Sequence, residues 1–132
     1  MAKLLSAFPD AEKVAMAILG SLATVVTATK DPILPPVIRV NRVGGADDLI
    51  TDYPRIEVAV YGGTRPQAWT LAGQCRQAML ASRRSTWVVD GQNVLVDTAD
   101  TVSAAVQVPY ENPDIRRVVA IYELSYRRPR SV

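Results

Sequence analysis

Cys75 is the one cysteine in this 132-residue chain, and the chain has no histidine. A lone cysteine can form neither an intrachain disulfide nor a thiolate cage for a metal. Without histidine, the commonest general base and metal ligand is missing, and nothing stands ready to activate the thiol. Cys75 falls on an apolar helical stripe, which reads as a buried structural thiol.

The next chemical candidates are Asp47, Asp48 and Asp52, which follow Gly44-Gly45. They could hold a divalent cation, but their spacing does not match an EF-hand, whose ligands recur at every second position and end in glutamate. A solvated turn between strands accounts for them better. Val43-Gly44-Gly45 is no phosphate cradle, because a P-loop needs Gly-Lys-Ser/Thr feeding a helix and this stretch feeds a strand. Gly62-Gly63-Thr64-Arg65 does precede a helix, where an anion could meet the N-terminus. It lacks both the lysine and the dinucleotide pattern, so Thr64 is read as a cap. Trp69 and Trp87 suit either core packing or a protein–protein contact, since tryptophan is enriched at hot spots. Arg127-Arg128-Pro129-Arg130 is the sharpest charge cluster. It reads either as a frayed tail over 127–132 or as a contact for acidic protein surface or passing DNA. No catalytic residue, metal ligand or cofactor site emerges.

The elements around these residues belong to an ordinary globular chain of one domain, 1–132, with 48% hydrophobic and 21% charged residues. The net charge of +2 comes wholly from the last quarter, because residues 1–100 hold ten basic and ten acidic side chains. That excess is too small for a dedicated nucleic-acid binder. Val14 to Thr29 is uncharged, yet its sixteen residues fall short of the roughly 20 that span a bilayer. Asp10 and Glu12 also stand where a secretory signal carries only positive charge. The stretch is therefore read as an amphipathic helix running into extended chain, with no membrane partner.

Asp10 caps that first helix, Phe8 is placed to pack back on it, and Ala11, Val14, Ala15, Ile18, Leu19 and Leu22 form its apolar stripe. Strands are expected over Val37 to Val43, with Ile38 and Val40 inward, and around Ile56, Val58 and Val60. Between them Gly44 to Tyr53 reads as a long polar loop. Thr64 and Pro66 open a second helix, whose narrow small-residue stripe lets it lie close on a sheet. Asp90-Gly91 turns a hairpin between Ser85 to Val89 and Val94 to Asp97. Val102, Ala104, Val106 and Val108 predict a separate strand with one buried face. Arg116 to Arg127 predicts the longest strand, central and partly covered on both sides. The fold class is α+β: a mixed, mainly antiparallel sheet with two helices packed on it.

Several of these stretches together resemble the tail terminator proteins of long-tailed phages, especially those infecting actinobacteria. They are Phe8-Pro9-Asp10-Ala11-Glu12-Lys13-Val14, Pro36-Val37-Ile38-Arg39-Val40 with Arg42-Val43-Gly44-Gly45, and Asp52-Tyr53-Pro54-Arg55-Ile56-Glu57-Val58. Leu71-Ala72-Gly73-Gln74-Cys75-Arg76 and the segment from Arg116-Arg117 to Tyr122, ending in Arg127, complete the set. The resemblance spans nearly the whole chain and rests on order and spacing. It implies a mixed sheet flanked by helices, and a virion protein made in the host cytoplasm and placed at the head–tail junction. Such a protein forms a hexameric ring on the tail tube, stops tube polymerisation and meets the head-completion protein. Genomic DNA passes through its lumen without sequence-specific binding. No catalytic residue carries over.

In such a ring each subunit needs two complementary patches. The Gly44 to Tyr53 loop and the Asp90 to Asp100 region are the expected contacts, as long polar connections that the core needs least. The interface candidates are Arg42, Gly44, Gly45, Asp47, Asp48, Asp52, Tyr53, Trp87, Asp97, Arg127, Arg128 and Arg130. The competing readings are another head-completion or tube protein, or a small cellular ligand-binding α+β domain with a concave apolar pocket.

Overall fold

Asp10 opens the first helix as the sequence requires. Its carboxylate accepts from the N–H groups of Glu12 at 2.9 Å and Lys13 at 3.3 Å, ahead of α1 (Ala11–Leu19). The computed structural model describes residues 5–128. The β-branched run after α1 gives the short strand β1 (Thr24–Val26), and a proline-rich passage then leads into β2 (Val37–Asp47) and β3 (Thr51–Gly62). Helix α2 (Arg65–Ala81) is capped by Thr64, whose hydroxyl accepts from Gln67 N–H at 3.2 Å. The chain ends in β4 (Thr86–Val89), β5 (Gln92–Val108) and β6 (Arg116–Arg127). No helix among the described residues is long and apolar enough to cross a membrane.

Among the described residues, six strands form one sheet in the order β1-β2-β3-β6-β5-β4. Only β1 and β2 run parallel; the other neighbours are antiparallel. This is the α+β architecture expected from the periodicities. Both helices cover one face of the sheet. Val14 and Leu19 of α1 and Ala68, Cys75 and Met79 of α2 share a core with Ile38, Val40, Ile56, Val58 and Val60. The inward set on β6, Val118, Ala120, Tyr122, Leu124 and Tyr126, is buried in the same core. On the far face a smaller cluster of Ala59, Tyr61 and Ile115 packs with Tyr110 and Val119. The cross-strand ion pairs Arg39–Glu57 and Arg55–Glu123, at 3.0 and 3.3 Å, also belong to this face. β6 is therefore central, buried on the helix side and partly covered on the other.

Four expectations fail. β6, at 12 residues, is shorter than β5, and Asp90 to Asp100 is no long connection, because all of it past Gly91 lies within β5. Val102 to Val108 is no separate strand: β5 runs unbroken through 17 residues. Its pairing with β6 slips at Val96/Thr98, Thr101/Ser103 and Ser103/Val106. Each slip changes which residues face the core, so Val102, Ala104 and Val106 are exposed while Ala105 packs against it. Gly44 to Tyr53 is likewise no open loop. The β2–β3 ladder continues through Gly44↔Arg55, Gly45↔Pro54, Ala46↔Tyr53 and Asp47↔Asp52. The irregularity between Arg42 and Gly44 absorbs an extra residue.

The stripe of small residues on α2 works as expected, and Gly62 shows how close the approach is. A Cβ added there would lie 2.7 Å from the backbone N of Ala68 and 2.8 Å from its Cα, atoms that cannot swing aside. Gly62→Ala should therefore lower stability by roughly 2 kcal/mol through overpacking. Gly63→Ala, whose Cβ would meet only the Gln67 side chain at 3.5 Å, should stay within roughly 0.5 kcal/mol of the parent. Thermal midpoints of the two variants test this, and equal losses would refute the close-packing account.

Candidate assembly interface

The far end of the β2–β3 hairpin is built around one ion pair. Arg42 donates from both terminal nitrogens to Asp52, at 2.8 and 2.9 Å, and from Nε to the Gly44 carbonyl at 3.1 Å. Asp52 is only 1% exposed. The pair holds the Arg42 guanidinium above its ordinary value, chiefly through the hydrogen bond to Asp52. A bidentate fork of this kind fixes direction as well as distance. Glu12, from the first turn of α1, accepts from the Arg42 backbone N–H at 3.0 Å and so ties the helix to the hairpin.

Beyond the pair the chain reverses over Asp48, Leu49 and Ile50. Asp47 accepts from Leu49 N–H at 2.9 Å; Asp48 accepts from Ile50 and Thr51 N–H at 3.0 and 2.7 Å. The bonds from Thr51 and Ile50 hold the Asp48 carboxyl below its usual range, so it stays charged. Leu49 sits in the left-handed region at φ 72°. Gly45 is compulsory: at φ 99°, an added Cβ would come within 2.0 Å of the Tyr53 carbonyl oxygen. The aspartates therefore stiffen a turn and neutralise its amides. Among the described residues, no three His, Cys, Asp or Glu side chains gather into a possible metal site.

The sequence places Arg127 and Arg128 in a tail, whereas the structure gives both a place. Arg127 is the last residue of β6, paired in register with Thr51 and exposed. The Arg128 guanidinium lies 4.2 Å from the centre of the Phe8 ring and donates to the carbonyls of Ser6 and Leu49. One side chain so joins the N-terminal segment, the hairpin turn and the last strand. Phe8, expected to fold back on its helix, serves as the platform for Arg128. Arg130 lies outside the described residues.

Arg42, Gly44, Gly45, Asp47, Asp48, Asp52, Tyr53, Arg127 and Arg128 thus gather at one end of the sheet. Beside them is a cleft of about 660 Å³, lined by Phe8, Asp10, Glu12, Arg42, Asp52 and Asp90 among others. Trp87 and Asp97 do not line it. Trp87 is half-buried against the main core, and Asp97 occupies the slip in β5 between Val96 and Thr98. Trp69 also packs on the core, its indole N–H donating to Gln107 at 3.4 Å.

Leu49 and Ile50 lie within the Gly44 to Tyr53 stretch expected to make contacts, although neither is among the interface candidates by itself. They are 63% and 65% exposed at the tip of the hairpin. The available signal was an apolar pair set directly after two aspartates inside a turn, where polar residues usually stand. Glu12 was also missed; nothing local marks it as a partner for a strand 30 residues away. Cys75 is buried as expected, and burial pushes its thiol up to about 12, so it is no nucleophile at neutral pH.

A rigid stem that presents apolar side chains is equipped to dock. The sequence over residues 7–132 matches the family model described as phage tail termination protein. The chain belongs to that family. It is therefore a structural protein of the bacteriophage tail, in a family that is not one of enzymes. Among solved structures, it is similar to a chain in the virion of a native gene transfer agent particle. The TM-score is 0.58 and the identity 14%, covering 89% of this chain and 87% of that one. That likeness speaks for the tail protein's fold alone. No curated protein matches the sequence.

Proposed function

We propose that this tail protein assembles into a ring, six subunits around, that seats on the end of the tail tube at the head–tail junction. There it stops further polymerisation, offers its opposite face to the head-completion protein and leaves a lumen for DNA. The family match over residues 7–132 carries this reading. The hairpin supports it, with apolar Leu49 and Ile50 held out on a stem pinned by Arg42 and Asp52. A head-to-tail contact between unlike patches closes into a ring when its rotation divides a full turn.

Purified protein added to polymerising tube subunits should halt elongation at substoichiometric amounts. Removing residues 46–51 should leave the two helices in place and abolish that arrest. Tubes that grow equally long with and without the intact protein would overturn the proposal. Arrest by the deletion variant at parental strength would remove the hairpin from it.

A further inference from the structure

The end of the sheet opposite the hairpin tip carries a groove of about 260 Å³ beside β1. It is lined by Val26, Pro32, Ile33, Leu34 and Val37, with Lys30 the one charged residue among its walls. Leu34 is 78% exposed at its side. For comparison, an apolar cavity of about 150 Å³ is enough to take up benzene. Lys30 has no ion-pair partner among the described residues.

The hairpin tip is the counterpart of this groove. It offers two branched aliphatic side chains, Leu49 and Ile50, next to the carboxylates of Asp47 and Asp48. Apolar surface would meet apolar surface, and a fixed negative charge would meet an unpaired positive one at the rim. The turn bonds already made by both aspartates and by Arg128 remove much of the ordering cost of docking.

The two features cannot meet within one molecule. Val37, which lines the groove, begins β2, and Asp47, which enters the tip, ends it. Eleven residues of strand separate them by roughly 35 Å. A foreign partner would need only one of these surfaces. A chain that bears both, at opposite ends and of matching character, is equipped to repeat one contact from copy to copy.

We propose that the Leu49–Ile50 tip of one subunit inserts into the Val26–Leu34 groove of the next, with Asp48 facing Lys30. This assignment rests on the ring reading above and names the contact that closes it.

Cysteine pairing tests it on the full-length chain, because buried Cys75 stays out of the exchange. Ile50→Cys and Leu34→Cys are made separately, mixed, concentrated or seated on tubes, and oxidised. A disulfide forms only where the two positions come within bonding distance. The mixture should give a covalent dimer and nothing larger, while neither variant alone should cross-link. The chain carrying both substitutions should give a ladder ending at the closed ring. Lys30→Glu should weaken the yield, whereas Lys30→Arg, which keeps the positive charge, should preserve it.

Rings visible by electron microscopy without an Ile50–Leu34 cross-link would sink this contact and leave the ring reading standing. Dimers from each single variant alone would show a like-with-like contact and overturn it as well. An absence of any assembly, in solution or on tubes, would overturn both.

Discussion

Replacing Arg42 with alanine should destabilise the protein by about 3 kcal/mol. Asp52 is almost wholly inside, while the Arg42 side chain is 37% exposed. Removing the arginine strands a carboxylate that water reaches poorly. Breaking a buried pair usually costs about 3–5 kcal/mol, and the partial exposure of Arg42 sets the expectation at the lower end. Asp52→Asn should cost less, about 1 kcal/mol, since an amide oxygen still accepts from Arg42 and the guanidinium can turn to solvent. Urea midpoints would measure the two losses. Hydrogen exchange at the Leu49, Ile50 and Thr51 amides should show the Arg42 variant opening at the hairpin before the rest of the sheet. Equal losses from the two variants would mean that the carboxylate is not enclosed as described. Because the same pair aims the tip, Arg42→Ala should also weaken arrest of tube growth at temperatures where the sheet remains folded.

Alkaline pH should have a still larger effect. The Cys75 thiol ordinarily titrates near 9.0 and the Tyr122 hydroxyl near 10.0; burial pushes each up to about 12. Burial raises Tyr126 too, with the charge of Asp52 adding to it, and its hydroxyl donates to the Pro9 carbonyl at 3.1 Å. All three are neutral when protonated, and all three keep their protons longer in the folded state. The unfolded chain therefore releases protons first, and the slope of stability with pH is negative across this window. The stabilisation is fully present below pH 9, the ordinary thiol value, and is lost progressively as pH rises towards 12. Summed over the three groups the loss is comparable to the whole stability of a small domain. Cys75→Ala should move the onset up towards pH 10, the ordinary tyrosine value, at the cost of a small cavity. Urea midpoints against pH, together with tyrosinate absorbance, test this. Tyrosinate appearing near pH 10 from Tyr122 in a still-folded protein would contradict the buried placement.

Much of the fold was written locally. The alternation of Ile38 with Val40, and of Ile56 with Val58 and Val60, names the core face of two strands, because strand side chains repeat every two residues. Asp10, Thr64 and Pro66 mark helix starts through the orphan N–H groups that any first turn must satisfy. Asp90-Gly91 marks its hairpin because both residues sit at positive φ, 51° and 74°. These signals act over a few residues and survive without knowledge of the rest of the chain. The family likeness was legible in the same way, as an ordered series of short stretches.

What needed the tertiary structure were contacts made across long sequence distances. Gly44 to Tyr53 reads as a loop until Arg42 is seen to grip Asp52, and Arg128 reads as a loose tail until Phe8 and Leu49 receive it. The expected core face of Val102, Ala104 and Val106 was lost because β5 slips three times against β6, a choice set by the neighbour strand. Composition and periodicity thus determined that a sheet with two helices packed on it would form. Only packing decided that its polar connection would stiffen into a projecting hairpin. Ion pairs and strand registers depend on partners that the local chain does not contain.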